Sequence, residues 1–240
     1  MTGKAGLAEA ARSLLGLELT AAQRKDFDWY AAELIEWNRR FNLTAITDPT
    51  AIAIKHILDS LSCLLVMRGQ AAGRVIDVGT GAGFPGLPLK IVRPRIELTL
   101  VEATGKKVNF CQHVVTSLRL EAVQVIHARA EEIGHWPDHR QAYDWALARA
   151  VATMPVLVEY LLPLLRIGGR AIAQKGETGP AEAHAADKAL RLLGGRVQQV
   201  VPVELPTVAE SHYLVVVEKT AATPDEYPRR PGIPVKRPLG

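Results

Sequence analysis

The stretch Arg74-Val75-Ile76-Asp77-Val78-Gly79-Thr80-Gly81-Ala82-Gly83-Phe84-Pro85-Gly86-Leu87-Pro88-Leu89-Lys90 decides how this chain is read. Three β-branched residues, Val75, Ile76 and Val78, lead into alternate glycines and then into Pro85, a residue favoured at the start of a helix. Strand, tight glycine loop and helix form the opening unit of a doubly wound α/β domain, whose ligands sit beyond the carboxyl ends of the strands. Gly81, Gly83 and Gly86 satisfy G-x-G-x-x-G, so a dinucleotide site is one reading and a turn that only reverses the chain is another. Asp77 argues against the dinucleotide. A carboxylate beside the first glycine repels a pyrophosphate and suits a ligand that carries cationic groups.

Outward from this loop the pattern repeats. Strand-like runs occur at 97–102, 123–127, 144–149 and 170–174, with helix-like runs at 86–92, 106–118, 154–165 and 180–193. That alternation predicts a mostly parallel sheet with right-handed crossovers. Runs 196–203 and 213–219 are strand-like with no helix between them, which suggests a closing hairpin-like pair. Ahead of Arg74 the chain reads as helical. Thr20 is an N-cap for an amphipathic stripe of Phe27, Ala31, Leu34, Ile35, Trp37 and Phe41, closed by Arg39 and Arg40. Asp48-Pro49 opens a second helix with Ile52, Ile57, Leu58, Leu61 and Leu65 on its buried side. After 223 the composition shifts, with prolines at 224, 228, 231, 234 and 238, which forbid helix or central strand and predict an extended basic tail. The expected organisation is an N-terminal helical cap over 1–73, an α/β domain over 74–223 and a tail over 224–240, forming one compact unit.

The composition fits a soluble globular protein: 48% hydrophobic, 22% charged, with a net charge of +4. Such a balance is compatible with a nucleic-acid partner without requiring one. Cys63 and Cys111 fall in helix-like runs, which excludes a disulfide framework and fits a reducing, cytoplasmic location. The histidines show no metal-ligand spacing, so no metal is assigned. The longest apolar run, 156–167, is broken by Glu159, Pro163 and Arg166, so neither a membrane span nor a signal peptide is expected.

A ligand with an ammonium and a sulfonium is S-adenosylmethionine, and Asp77-x-Gly79-x-Gly81-x-Gly83 resembles the first motif of class I methyltransferases. Phe84, inside the loop where a core aromatic would pack poorly, reads as a cofactor contact. Glu102 ends the second strand, where a carboxylate accepts both ribose hydroxyls, and Ala103 and Thr104 follow it beside the ribose and adenine. Ala130-Glu131 follows the third strand and lines the adenine, Glu131 having a first-turn structural acid as its alternative. Arg149 ends the fourth strand. Permanently charged, it cannot be a base; it holds the acceptor, braces the cofactor pocket, or forms a structural ion pair, for example with Asp77. The Asn/Asp-Pro-Pro-aromatic motif of exocyclic amino methylation and the Pro-Cys nucleophile are both absent. A ring nitrogen such as guanine N7 needs no proton removed, so in-line displacement would proceed with neither general base nor metal.

Asn42-Leu43-Thr44-Ala45-Ile46, His56-Ile57-Leu58-Asp59-Ser60-Leu61, the glycine loop to Pro88, Lys106-Lys107-Val108-x-Phe110, Arg149-Ala150-Val151-Ala152, Lys175-Gly176 and the run 227–239 occur in this order. Together they resemble the bacterial RsmG (GidB) family of ribosomal small-subunit RNA methyltransferases, over roughly 37–239. The resemblance implies a class I, Rossmann-like S-adenosylmethionine-dependent methyltransferase fold with a mostly parallel seven-stranded sheet and an N-terminal helical cap. It implies S-adenosyl-L-methionine as cofactor and methylation of guanine N7 in the 530 loop of 16S rRNA. The partner would be 16S rRNA or the small ribosomal subunit, and a monomer is expected. Matched cofactor positions are Gly79, Phe84, Glu102-Ala103-Thr104, Ala130-Glu131 and Arg149. Lys106, Lys107, Lys175, Arg229, Arg230, Lys236 and Arg237 are candidate phosphate contacts, the tail acting as a basic strap or else as a solvated end. His56 joins them, sharing a helical face with Asp59. Cys111-Gln112 departs from the expected aliphatic residue, a matter of helix packing and not of the site. A small-molecule methyltransferase of the same fold is the alternative.

Overall fold

The structure, a computed structural model, describes residues 3–67 and 73–239; cap residues 1–2 and 68–72 and the tail's Gly240 lie outside the described residues. Seven strands form one sheet: β1 (Gly73–Val78), β2 (Ile96–Glu102), β3 (Val123–His127), β4 (Tyr143–Arg149), β5 (Leu165–Lys175), β6 (Gly195–Val203) and β7 (His212–Lys219). Their spatial order is β3-β2-β1-β4-β5-β7-β6. The first five pair in parallel, and β7 inserts antiparallel to both β5 and β6. Strand order reverses between β1 and β4, so the crevice at their carboxyl ends is where this architecture binds ligands. The glycine loop leaves β1 there, and Arg149 ends β4 beside it.

The central strands are apolar on both sides, as a sheet covered on both faces requires, while the edge strands β3 and β6 carry exposed polar positions. Val75, Leu98, Leu100, Trp145, Leu147 and Ile172 face one core, shared with buried residues of the Ala21–Phe41, Gly86–Val92 and Gly105–Ser117 helices. Ile76, Val101, Ala146, Ala148, Ala171 and Ala173 face the other, shared with the Met154–Leu161 and Asp187–Leu193 helices. Thr20 caps the Ala21–Phe41 helix in a reciprocal box with Gln23, and Asp48 accepts from the Ala51 N–H at 2.8 Å. The N-terminal cap therefore lies on the first face, against the glycine loop.

Several elements differ from expectation. The helix from Pro49 runs on to Leu65 but changes its winding, with a π-helical stretch over Ile52–Leu58 and a 3₁₀ turn over Ser62–Leu65. The 154–165 helix stops at Leu161 and gives way to a 3₁₀ turn, Leu162–Leu164, because Pro163 has no N–H to donate. The 180–193 helix is two, Gly179–Ala185 and Asp187–Leu193. The largest correction is the tail. One helical turn, Ile233–Lys236, forms in spite of the prolines, since Pro234 sits in its first turn where no donor is needed. Nor is the tail loose: Arg140 donates to the carbonyls of Thr223, Pro224 and Tyr227, and the His135 ring bonds to the Pro228 carbonyl.

Candidate active site

Two cavities meet at the glycine loop. The larger, of about 810 Å³, is walled by Thr44, His56, Asp59, Phe84, Arg149 and Gln174 among others. The smaller, of about 220 Å³, is bounded by Glu102, Ala103, Ala130, Glu131, Tyr160 and Val235. Gly79 lines both. It has φ +69°, and a Cβ there would sit 2.7 Å from the Val151 Cγ2, so only glycine leaves this floor open.

The loop is held from below. Asp77 is fully buried; its Oδ2 accepts from the Thr80 hydroxyl at 2.6 Å and the Gly86 N–H at 2.8 Å, while Oδ1 has no partner. Burial pushes this carboxyl up to about 6 against the pull of those two hydrogen bonds. Asp77 lines neither cavity, so its expected place as a direct cofactor contact is corrected: it clamps the loop's shape. Glu102 accepts from the Gly81 N–H at 2.9 Å and the Thr104 N–H at 2.8 Å, each oxygen retaining a lone pair for a hydroxyl. Cys111 is also drawn in. Its thiol donates to the Gly81 carbonyl at 3.4 Å, so this position touches the loop and not helix packing alone.

Phe84 is well packed, contrary to expectation. Its ring is 5% exposed, stacked with Tyr30 at 5.1 Å and with His56 at 4.8 Å, and the Arg149 guanidinium lies 5.2 Å from its centre. Arg149 pairs with Asp59 at 2.8 Å and not with Asp77. It also donates to the Lys55 and His56 carbonyls and, through its second terminal nitrogen, to the His56 Nδ1 at 3.2 Å. With Nδ1 accepting, the His56 Nε2 carries the proton and donates to the Thr44 hydroxyl oxygen at 2.8 Å. Burial, then the neighbouring guanidinium, lowers the imidazole to about 4, so His56 is neutral at physiological pH. Burial works to raise the Asp59 carboxyl, yet His212, 3.7 Å away, and Arg149 outweigh it and hold it below the usual range. Arg149 thus fastens the π-helical stretch of the cap to the end of β4.

The cationic candidates divide into two groups. Lys106, Arg230, Lys236 and Arg237 are exposed, and Lys107 lines the larger cavity. Lys175 is tied to Glu182 at 2.6 Å and to the Ala152 carbonyl, and Arg229 is tied to Glu159 at 2.7 Å, so these two are not free for phosphates. His56 is likewise engaged on both ring nitrogens. Ala103, Thr104, Ala130 and Glu131 stand beside Glu102 as the order of strands requires, with Glu131 buried and accepting from the Gly232 N–H at 2.9 Å. Gln174, His212, Tyr160 and Val235 were not anticipated. Thr44 and Asp59 sit in the quoted Asn42 and His56 runs, whose order along the chain was the signal for them. Among the described residues, no helix is long and apolar enough to cross a membrane.

A family model described as rRNA small subunit methyltransferase G (GidB) matches residues 23–211. The protein named ribosomal RNA small subunit methyltransferase G of Roseiflexus castenholzii is 53% identical over 224 residues, 93% of this chain and 95% of the relative. That of Pelotomaculum thermopropionicum is 46% identical over 231 residues, 96% of each chain. Among solved structures, the [4+2]-cyclase SpnF aligns with a TM-score of 0.57 at 16% identity, covering 84% of this chain and 97% of that one. A likeness at that identity speaks to fold alone.

Proposed function

From the premise that the chain belongs to the GidB family, rRNA small subunit methyltransferase G, we propose that its acceptor is N7 of a guanine in the 530 loop of 16S rRNA. It is a methyltransferase of small-subunit rRNA that uses S-adenosylmethionine, built on the class I fold. The residues present suit that cofactor: an open glycine floor at Gly79, a carboxylate with free lone pairs at Glu102, and the Ala130-Glu131 wall. When bound, S-adenosylmethionine would supply a methyl group on a sulfonium, open to in-line attack at carbon by an acceptor lone pair with the neutral thioether, S-adenosylhomocysteine, as leaving group.

The observation that carries the acceptor reading is the junction at Gly79. A methyl group held over this residue would face the larger cavity, where the two carboxylates shielded from solvent each have a cationic partner. Asp59 is held by Arg149 and His212, and Glu182 by Lys175. His56 has a donor on one ring nitrogen and an acceptor on the other. None of these is placed as a general base at neutral pH, and a guanine N7 lone pair needs none. Gln174, at the cavity wall, donates from Nε2 to the Asp59 carbonyl at 2.6 Å, which fixes its amide.

With tritiated S-adenosylmethionine, label is expected in small-subunit RNA lacking the mark, at a site that yields to aniline scission after borohydride reduction. Protein and free nucleosides should stay unlabelled. Label without scission moves the acceptor off N7, and no label with cofactor binding intact overturns the substrate reading.

A further inference from the structure

The C-terminal segment carries four basic residues, and electrostatics alone would place it on RNA. Its contacts point inward instead. Arg229 donates to Glu159 three times, from its backbone N–H at 2.8 Å, from Nε at 2.9 Å and from a terminal nitrogen at 2.7 Å. Glu159 is wholly buried, so this pair is a built anchor and not a surface contact. Pro228 packs on Gly134 so closely that a Cβ there would lie 2.5 Å from the proline Cγ. Three residues past Arg229, the Gly232 N–H meets the Glu131 carboxylate at the rim of the smaller cavity. Three further on, Val235 lines that cavity opposite Gly79, Glu102 and Ala130. Val235 is 61% exposed, more than any other large apolar side chain among the described residues. An apolar group left in water at a pocket mouth is stabilised when an apolar ligand surface covers it.

We infer that the C-terminal segment is the outer wall of the adenosine end of the cofactor site. Val235 covers the adenine ring, and Glu159–Arg229 and Glu131–Gly232 position the segment that carries it. The inference rests on the S-adenosylmethionine reading above and adds to it a residue outside the glycine loop and the strand ends. It assigns the tail to cofactor affinity first, leaving the exposed Arg230, Lys236 and Arg237 to face the RNA.

The test is isothermal titration of S-adenosylhomocysteine, a neutral-sulfur probe of the same pocket, into the full chain and into Val235→Ala and Val235→Asp. Because Val235 is largely exposed, both variants are expected to keep the wild-type melting midpoint. Val235→Asp should weaken the probe about tenfold and Val235→Ala about threefold, in proportion to the apolar cover lost. Filter binding of a small-subunit RNA fragment in the absence of cofactor should not change. Equal probe affinity in all three proteins overturns the tail's role and leaves the functional reading intact. Failure of the wild-type chain itself to bind the probe overturns that reading instead.

Discussion

Two buried arginine–carboxylate pairs flank the site, and they work in opposite directions. At one end Arg149 belongs to the sheet and reaches out to Asp59 of the cap at 2.8 Å. At the other Glu159 belongs to a helix of the α/β domain and receives Arg229 of the tail at 2.7 Å. Each fastens a flanking segment to the carboxyl edge of the sheet, so both cavities are walled by chain that lies outside the α/β alternation. The difference lies in the surroundings. Arg149 stands in a cavity wall among two histidines, whereas Glu159 is wholly buried and its arginine reaches it from the partly exposed tail. A third carboxylate, Asp77, shows what the arginines contribute. As deeply buried as either, it has only neutral hydrogen-bond donors and is pushed up to about 6, while Asp59 stays below the usual range. Pairing, more than burial, decides in which direction each of these carboxyls is shifted.

The tail pair breaks with the largest effect. Arg229→Ala strands a carboxylate with no exposure at all and should cost about 3–5 kcal/mol in urea denaturation. Glu159→Ala should cost less, because the Arg229 side chain is 23% exposed and can be rehydrated. Equal losses from the two variants would mean that the segment's packing matters and the buried charge does not.

The unpaired carboxylate comes next. Asp77 has its folded value raised from 3.8 to about 6, so its contribution is fully present below 3.8 and is lost as the pH rises through 6. Across that window the wild type should lose about 3 kcal/mol relative to Asp77→Asn. Parallel stability-against-pH curves for the two proteins would show that folding does not raise Asp77, and would remove the contrast with the arginine-paired groups.

At the cap pair the expected effect is on rate more than on stability. Arg149→Lys keeps a cation beside Asp59 but cannot also serve the Lys55 and His56 carbonyls and the His56 ring. Methyl transfer should fall about 10- to 100-fold in kcat/KM, with the melting midpoint moving by a few degrees at most. Wild-type kinetics in this variant would reduce the cap pair to architecture, like the tail pair.

How much of this could be read from the chain follows from the range of the interactions. The sheet was legible because β-branched runs and helical periodicity are local signals, and the antiparallel end showed as two strands without a helix between. Glu102 and the Ala130-Glu131 wall came with the strand ends. The pairs did not, since Arg149 lies 90 residues from Asp59 and Arg229 70 residues from Glu159. Local charge pattern cannot choose among partners so distant, which is why Asp77 stood as the example for Arg149. The same holds for the tail. Its prolines exclude long helix or strand, and that exclusion says nothing about docking, which depends on Arg140, His135 and Glu159 elsewhere. Phe84 was misjudged as poorly packed because Tyr30 and His56, both from the cap, cover it.

The finest distinction between the pairs is their response to pH near neutrality. His212 stands 3.7 Å from the Asp59 carboxylate, and that neighbouring negative group raises the imidazole above its ordinary 6.5 in spite of partial burial. A histidine raised in the fold stabilises it fully below the unfolded value, and that stabilisation is lost as the pH rises through the folded one. The His212 contribution should therefore fall as the pH climbs from 6 to 8, and His212→Gln should remove it from the midpoint-against-pH curve. His56 works the other way, since its unfolded imidazole takes up a proton near 6.5 that the folded one, lowered to about 4, does not, so the difference between wild type and His212→Gln isolates the His212 part. Among the described residues no histidine is paired with Glu159, so hydrogen exchange measured at both ends should show protection of the 49–65 segment varying with pH while that of the Ile233–Lys236 turn does not. If the two ends respond alike, Asp59 is not coupled to His212, and the cap is held by Arg149 alone.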